Sequence, residues 1–143
     1  MSPSEPGRTN WEDVKVDTKV KLAALWAATT FCYIYGDYFE LYMPGALNGI
    51  LNGQMGPLGR VTQQVLLATS MLMAIPSVLV FLSLAIRPAI NRWINVGFGS
   101  LFTVIMTMIV LQDSWMFYKF FALVEILLTS TIVRLAWKWP RTA

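Results

Sequence analysis

Four long runs of apolar residues dominate the chain, and short polar segments rich in glycine or proline separate them. Each run has about 20 residues or more, the length at which an α-helix crosses a hydrocarbon layer ~30 Å thick. The pattern predicts membrane-spanning helices at residues 22–43, 63–86, 90–111 and 115–137. We therefore expect an all-α protein, an integral membrane four-helix bundle with multi-pass topology.

The segments outside the runs complete the predicted organisation. Residues 1–21 are expected to form a disordered tail and then an amphipathic segment, which would lie on the membrane surface or dock a partner. Residues 44–62 form a glycine-rich connection in which residues 47–51 could make one helical turn, and residues 138–143 form a C-terminal cytoplasmic tail. The other two connections are so short that they join antiparallel neighbours.

Prolines and small residues add detail to the two middle spans. Pro88 is placed to open the third span, whereas Pro76 is expected to break the second and to free the carbonyl of Leu72. Small or weakly polar residues at helical spacing predict close helix packing. They are Ser70, Ala74 and Ser77 in the second span and Asn95, Gly99 and Thr103 in the third.

Composition agrees with a membrane protein and excludes much familiar chemistry. The chain is 56% hydrophobic and only 13% charged, against roughly 25% charged in soluble domains. It contains no histidine and a single cysteine, Cys32, which excludes a His-containing zinc site, a His general base and an intramolecular disulfide. We expect no catalytic residue, no metal and no cofactor, and the chain is not expected to be an enzyme.

Basic residues predict the orientation. Nine of the eleven Lys and Arg residues lie beside the predicted membrane face that carries both termini, and only Arg60 and Lys119 lie beside the other. The positive-inside rule therefore places both termini in the cytoplasm and the protein in the cell membrane. Contact with anionic lipid accounts for the net charge of +3, so the expected partner is the lipid bilayer and not nucleic acid.

Charged residues near the outer boundary form the first candidate site. Helical spacing puts Tyr33, Asp37 and Glu40 on one face of the first span, turned away from an aromatic belt that includes Tyr35 and Tyr38. Lys119 of the fourth span lies at a similar depth. These charges predict either an ion pair that locks two helices together or the mouth of a ligand site.

Glu125 is the deeper candidate, because it falls close to the bilayer midplane, where an ionisable side chain costs roughly 2.5 kcal/mol or more. Tyr118 and Thr129 share its face of the helix. A protonated Glu125 could donate a hydrogen bond to an acceptor such as the Leu72 carbonyl or Thr103, which would be a purely structural solution. The functional alternative is a cavity in which Glu125 holds a ligand, a proton or a cation.

Several stretches resemble a family of small prokaryotic integral membrane proteins that forms a domain of unknown function. The resemblance runs from Trp11 to Arg141 and rests on WEDVKVDTKVKLAALWA, FCYIYGDYFELYMPG, GPLGRVTQ, MAIPS, NRWIN, DSWMFYKFF, VEILLT and AWKWP. It implies a four-span membrane protein and supplies no activity and no functional residues.

Three classes of function remain. The first is a small transporter-like or ligand-binding bundle that uses intramembrane carboxylates on a small-molecule or lipid ligand, with a homo-oligomer as a candidate assembly. The second is an accessory or assembly subunit with no chemistry of its own, and the third is a small lipid-acting membrane enzyme. We favour the first class, because ionisable groups inside a membrane are costly to keep.

Overall fold

The computed structural model of the protein describes residues 14–140, and this part of the chain has an all-α fold without strands, as predicted. Its elements are α1 (Thr18–Glu40), α2 (Ala46–Leu51), a 3-10 helix (Gly56–Leu58), α3 (Gln63–Ala85), α4 (Pro88–Val110) and α5 (Met116–Trp137). The short helix α2 occupies the glycine-rich connection, where the sequence predicts a helical turn.

Three helices within residues 14–140 are long and apolar enough to cross a membrane, namely α3, α4 and α5. These helices indicate a membrane protein. The prediction of four spans is therefore confirmed for three helices only. The remaining long helix, α1, is as long as α3, at 23 residues. Its second half is less apolar, because it carries Asp37, Glu40 and several tyrosines.

The ends of α1 differ from those of the predicted first span. Asp17 caps the helix by accepting a hydrogen bond of 2.7 Å from the backbone N–H of Lys19. The helix ends at Glu40, and residues 41–45 form turns, so it is shorter at this end than the predicted span. Residues 18–21, predicted as part of a surface segment, are the first turn of α1, whereas residues 1–13 and 141–143 lie outside the described part.

The prolines of α3 and α4 act differently from each other. Pro88 lies in the first turn of α4, as predicted, because its missing N–H has no partner to lose there. The predicted break at Pro76 is wrong, since α3 continues as one helix from Gln63 to Ala85. Pro76 is buried inside the bundle, and packing around a buried proline can hold a helix together across a missing hydrogen bond.

The four long helices pack in the order α3, α1, α5, α4. Helix α1 packs against both α3 and α5, and α5 packs against α4, while α3 and α4 contact each other little although a short turn joins them. The fully buried side chains at the centre come from all four long helices: Leu22, Trp26, Leu79, Phe102, Ile132 and Ala136.

The two predicted sets of small residues have opposite outcomes. Gly99 permits a close approach of α4 to α5, because a Cβ atom at this position would lie 2.8 Å from Cγ2 of Val133. Ser70, Ala74 and Ser77 are exposed on α3, so the predicted packing of this set is wrong. The buried side of α3 instead carries Pro76, Leu79 and Ser83. The prediction failed because most positions of this helix are apolar, so that no sequence pattern marks its inner face.

A hydrogen-bonded network fills the end of the bundle that holds the turn between α3 and α4, which we call the turn end. Trp26 donates from Nε1 to Oδ1 of Asn95 at 2.7 Å. Asn95 donates to the carbonyl and to Oδ1 of Asn91, and Asn91 donates to the carbonyl of Ser83. All four residues are buried, so the polar groups of three helices satisfy one another without water.

Candidate functional site

A cavity of about 380 Å³ lies at the opposite end of the bundle, which we call the cavity end. Its walls come from the second half of α1, the first half of α3, the second half of α4 and the first half of α5. The lining residues are Tyr33, Gly36, Asp37, Leu58, Ala68, Thr69, Leu72, Met73, Ile105, Met106, Ile109, Tyr118, Phe121, Ala122 and Glu125.

Glu125 forms the deepest ionisable part of this lining. It is the tenth of the 22 residues of α5, and only 4% of its surface is exposed. Within residues 14–140, the one side-chain hydrogen bond that reaches Glu125 ends on its backbone carbonyl and not on its carboxyl group. A buried polar group without a partner is destabilising, so the cavity next to Glu125 is where a partner for the carboxyl group could bind.

The predicted structural partners of Glu125 bond elsewhere. Thr129 donates from Oγ1 to the backbone carbonyl of Glu125 at 2.8 Å, and Thr103 donates to Oγ1 of Thr129 at 2.7 Å. Neither threonine lines the cavity. The two hydroxyls therefore form a satisfied layer beneath the cavity floor and do not bond to the carboxyl group above them.

Residues from α1 form the wall that faces Glu125. Asp37 lines the cavity and lies close enough to Glu125 for the two carboxylates to repel each other when both are ionised. The hydroxyl oxygen of Tyr33 is buried and has no hydrogen-bond partner in the described chain. Gly36 is buried between them, yet a Cβ at this position would meet no atom within 4 Å. The missing side chain of Gly36 thus adds to the free volume.

Glu40 and Lys119 stand apart from the cavity. Neither residue lines it, and the carboxylate of Glu40 lies near the connection, 3.5 Å from the position that a Cβ on Gly56 would occupy. Within residues 14–140, Asp37 is the charged neighbour that acts on the Glu40 carboxylate, and Lys119 acts on neither of the two carboxylates. The predicted pairing of Lys119 with Asp37 or Glu40 is therefore wrong.

The structure thus brings four of the predicted site residues together, namely Tyr33, Asp37, Tyr118 and Glu125. Tyr33 and Tyr118 both lie within electrostatic range of the Glu125 carboxyl group. Chemically, this set offers the buried carboxyl group of Glu125, the exposed carboxyl group of Asp37 and two half-buried phenols, among mainly apolar side chains. Residues 14–140 contain no group of three Cys, Asp or Glu side chains that could hold a metal ion.

Comparison with protein families gives one match over most of the chain. Residues 9–143 match the model of a family of unknown function, DUF6326. The chain belongs to this family. No curated protein and no solved structure matches this DUF6326 member significantly.

Several residues that line the cavity of this DUF6326 member were not predicted as site residues from the sequence. Thr69, Met73 and Leu58 line the cavity from α3 and the 3-10 helix, but nothing in their local pattern separates them from residues that face lipid. One signal was available for the turn end, because Asn91 and Asn95 are four residues apart in an apolar helix. Two amides at that spacing share one helix face and need buried partners.

Proposed function

We propose that the protein is a four-span membrane bundle in which α1 crosses the membrane in addition to α3, α4 and α5, and that both termini are cytoplasmic. The contacts of α1 support this arrangement, because it packs against α3 and α5 and two of its polar side chains, Tyr33 and Asp37, line the cavity. An inward polar face lowers the hydropathy of a helix without exposing polar groups to lipid. The family resemblance further suggests the cytoplasmic membrane of a prokaryotic cell.

Fusions to each terminus test this topology. Green fluorescent protein matures in the cytoplasm and not after export through the general secretory pathway, so it should fluoresce when fused to either end of the chain. A three-span protein has its termini on opposite sides and would give fluorescence at one end only. That result would exclude α1 as a span.

We further infer that the bundle binds a small molecule in the cavity and uses Glu125 to recognise it. The observation that carries this inference is a buried carboxyl group, without a protein partner in the described chain, in the wall of a cavity of about 380 Å³. Ligand sites commonly combine a volume of about 300–1,000 Å³ with apolar walls and a few polar groups. Because α1, α3, α4 and α5 of one chain supply the walls, ligand binding requires no second copy.

Binding of this kind serves a transporter-like protein or a receptor, and it separates both from an accessory subunit. An accessory subunit gains nothing from an accessible Glu125, and its carboxyl group should be sealed by packing. A lipid-acting enzyme would have to use these carboxyl and phenol groups as its general acids and bases. We favour binding because the cavity supplies recognition groups and adds no nucleophile such as Cys or Lys among its described lining residues.

Chemical labelling tests access to Glu125. Dicyclohexylcarbodiimide reacts with carboxyl groups in apolar surroundings, so in lipid nanodiscs it should modify Glu125 of the full chain and leave Asp113, an exposed turn residue, unmodified. Mass spectrometry of peptides measures both residues in one sample. The Gly36→Leu variant should reduce the labelling, because its side chain would occupy part of the cavity.

Gly97→Leu is the matched control for this experiment. Gly97 also has open space around its Cβ position, but it is exposed on α4 and does not line the cavity. Equal labelling of the Gly36→Leu and Gly97→Leu variants, or no labelling of Glu125 in the original chain, would contradict the proposed function.

A further inference from the structure

We propose that the ligand is an organic cation, an ammonium compound with an apolar body whose charge lies between Asp37 and Glu125. This inference rests on the proposed function and adds the chemical class of the ligand. It is carried by the charges, the aromatic rings and the apolar surface of the cavity.

The charges of the cavity favour a cation. Asp37 and Glu125 lie within electrostatic range of each other, and no Lys or Arg is present among the described lining residues. A buried carboxylate is tolerated when a positive charge pairs with it. An ammonium group between the two side chains would provide that charge, whereas an anion would be repelled by both.

Aromatic rings provide a second contribution. Tyr33, Tyr118 and Phe121 belong to the lining, on α1 and α5. The faces of aromatic rings attract ammonium groups, most strongly where water is excluded. The hydroxyl oxygen of Tyr33, which has no partner in residues 14–140, can accept a hydrogen bond from a protonated amine.

The remaining walls define the rest of the ligand. Leu72, Met73 and Ile105 are apolar and belong to α3 and α4, so they can bury a hydrocarbon body. Methionine adapts its shape to different apolar partners, which favours a range of related ligands over one exact structure. A small hydrated metal cation fits poorly, because it would find two carboxylates and mostly hydrocarbon.

Three probes of similar shape and different charge test the proposal. They are benzyltrimethylammonium, its neutral isostere neopentylbenzene, and the anion phenylmethanesulfonate. Binding to the full chain in lipid nanodiscs is measured by saturation-transfer NMR and titration calorimetry, with empty nanodiscs as the reference for partitioning into lipid. We expect the cation to bind about tenfold or more tightly than the neutral isostere, and the anion not to bind.

Two charge-removing variants complete the test. Glu125→Gln keeps the size of the side chain and should weaken binding of the cation about tenfold or more. Asp113→Asn makes the same chemical change in the turn after α4, outside the cavity, and should leave binding unchanged. If Glu125→Gln impairs folding, Tyr33→Phe offers a milder change that should weaken binding of a protonated benzylamine more than binding of benzyltrimethylammonium.

The outcomes separate the two levels of inference. If the neutral isostere binds as tightly as the cation and Gly36→Leu abolishes both, the cavity is a ligand site and the proposed charge class is wrong. If the cation binds equally well to Glu125→Gln, the proposed role of the carboxylate is wrong. If no probe binds and carbodiimide fails to reach Glu125, the proposed function is overturned together with the cation.

Discussion

The two ends of the bundle use their buried polar groups in opposite ways. At the turn end, Trp26, Asn95, Asn91 and Ser83 bond to one another across three helices. At the cavity end, within residues 14–140, the Tyr33 hydroxyl has no hydrogen-bond partner, and the one side-chain hydrogen bond to Glu125 ends on its backbone carbonyl. Buried polar groups therefore fix the helices at one end and remain available to a ligand at the other.

This contrast separates structural from functional polarity inside an apolar protein. A polar group whose hydrogen bonds are complete holds a fold in place, and its loss leaves several partners unsatisfied. A polar group without a partner adds nothing to folding, so its retention calls for another explanation. Four substitutions, which remove polar groups at the turn end, between the ends and at the cavity end, test the contrast through the free energy of unfolding.

The largest effect is expected for Asn95→Leu at the turn end. This change removes the acceptor of Trp26 and the donor to Asn91, and it should lower the free energy of unfolding by about 2–3 kcal/mol. Unfolding by dodecyl sulfate in mixed micelles, followed by circular dichroism, measures the change. A loss below about 1 kcal/mol would mean that the network does not hold the helices.

A smaller effect is expected for Trp26→Phe. The new ring can keep the edge-to-face contact with Phe102, at 6.0 Å between ring centres in the native chain, but it loses the indole donor to Asn95. We expect a loss of about 1–2 kcal/mol in the same unfolding measurement. The double variant with Asn95→Leu should lose less than the sum of both changes, because the two residues share one hydrogen bond. Additive losses would show that they act independently.

Thr129→Val changes the layer between the two ends. It keeps the shape of the side chain but removes the hydrogen bond of 2.7 Å with Thr103. Hydrogen bonds between membrane helices contribute about 0.6 kcal/mol on average, and we expect a loss of that size. Thr131→Val is the matched control, since Thr131 is exposed on α5 and bonds only to its own helix; an equal loss in both variants would contradict a role for the contact between helices.

The smallest effect on stability is expected for Glu125→Leu. It is the same polar-to-leucine change as Asn95→Leu, but the carboxyl group has no partner to lose in the described chain. Replacing a buried ionisable group with an apolar one is often neutral or stabilising, so the free energy of unfolding should fall by less than about 0.5 kcal/mol or rise. A loss comparable to that of Asn95→Leu would show that Glu125 is structural and would end the contrast.

The sequence was most informative about the helices themselves. Apolar runs predicted the positions of α3, α4 and α5 to within a few residues, and Pro88 marked the start of α4. These features are local, because length, apolarity and capping depend on neighbours in the chain. Glu125 was also predictable as a candidate, since an isolated acid in an apolar run is unusual wherever its helix packs.

The contacts between helices were beyond the sequence. Trp26 and Asn95 are 69 residues apart, and no local pattern connects them. The inner face of α3 was misread because a helix that is apolar on all sides has no amphipathic period to reveal its orientation. The pairing of Lys119 with Asp37 failed for a related reason, since similar depth in a membrane does not specify the rotation of each helix about its axis.

The satisfied layer beneath Glu125 has a consequence for the response of the protein to voltage. Below this residue lie the fully buried side chains of Thr129, Phe102 and Ile132, so in this conformation the layer closes the path from the cavity to the turn end. In the proposed orientation, a cation that reaches Glu125 from outside crosses about half of the transmembrane field. An interior-negative potential of about 100 mV would then strengthen its binding by roughly 1 kcal/mol. Occupancy of the cavity would follow the energisation of the membrane without movement of any charged helix.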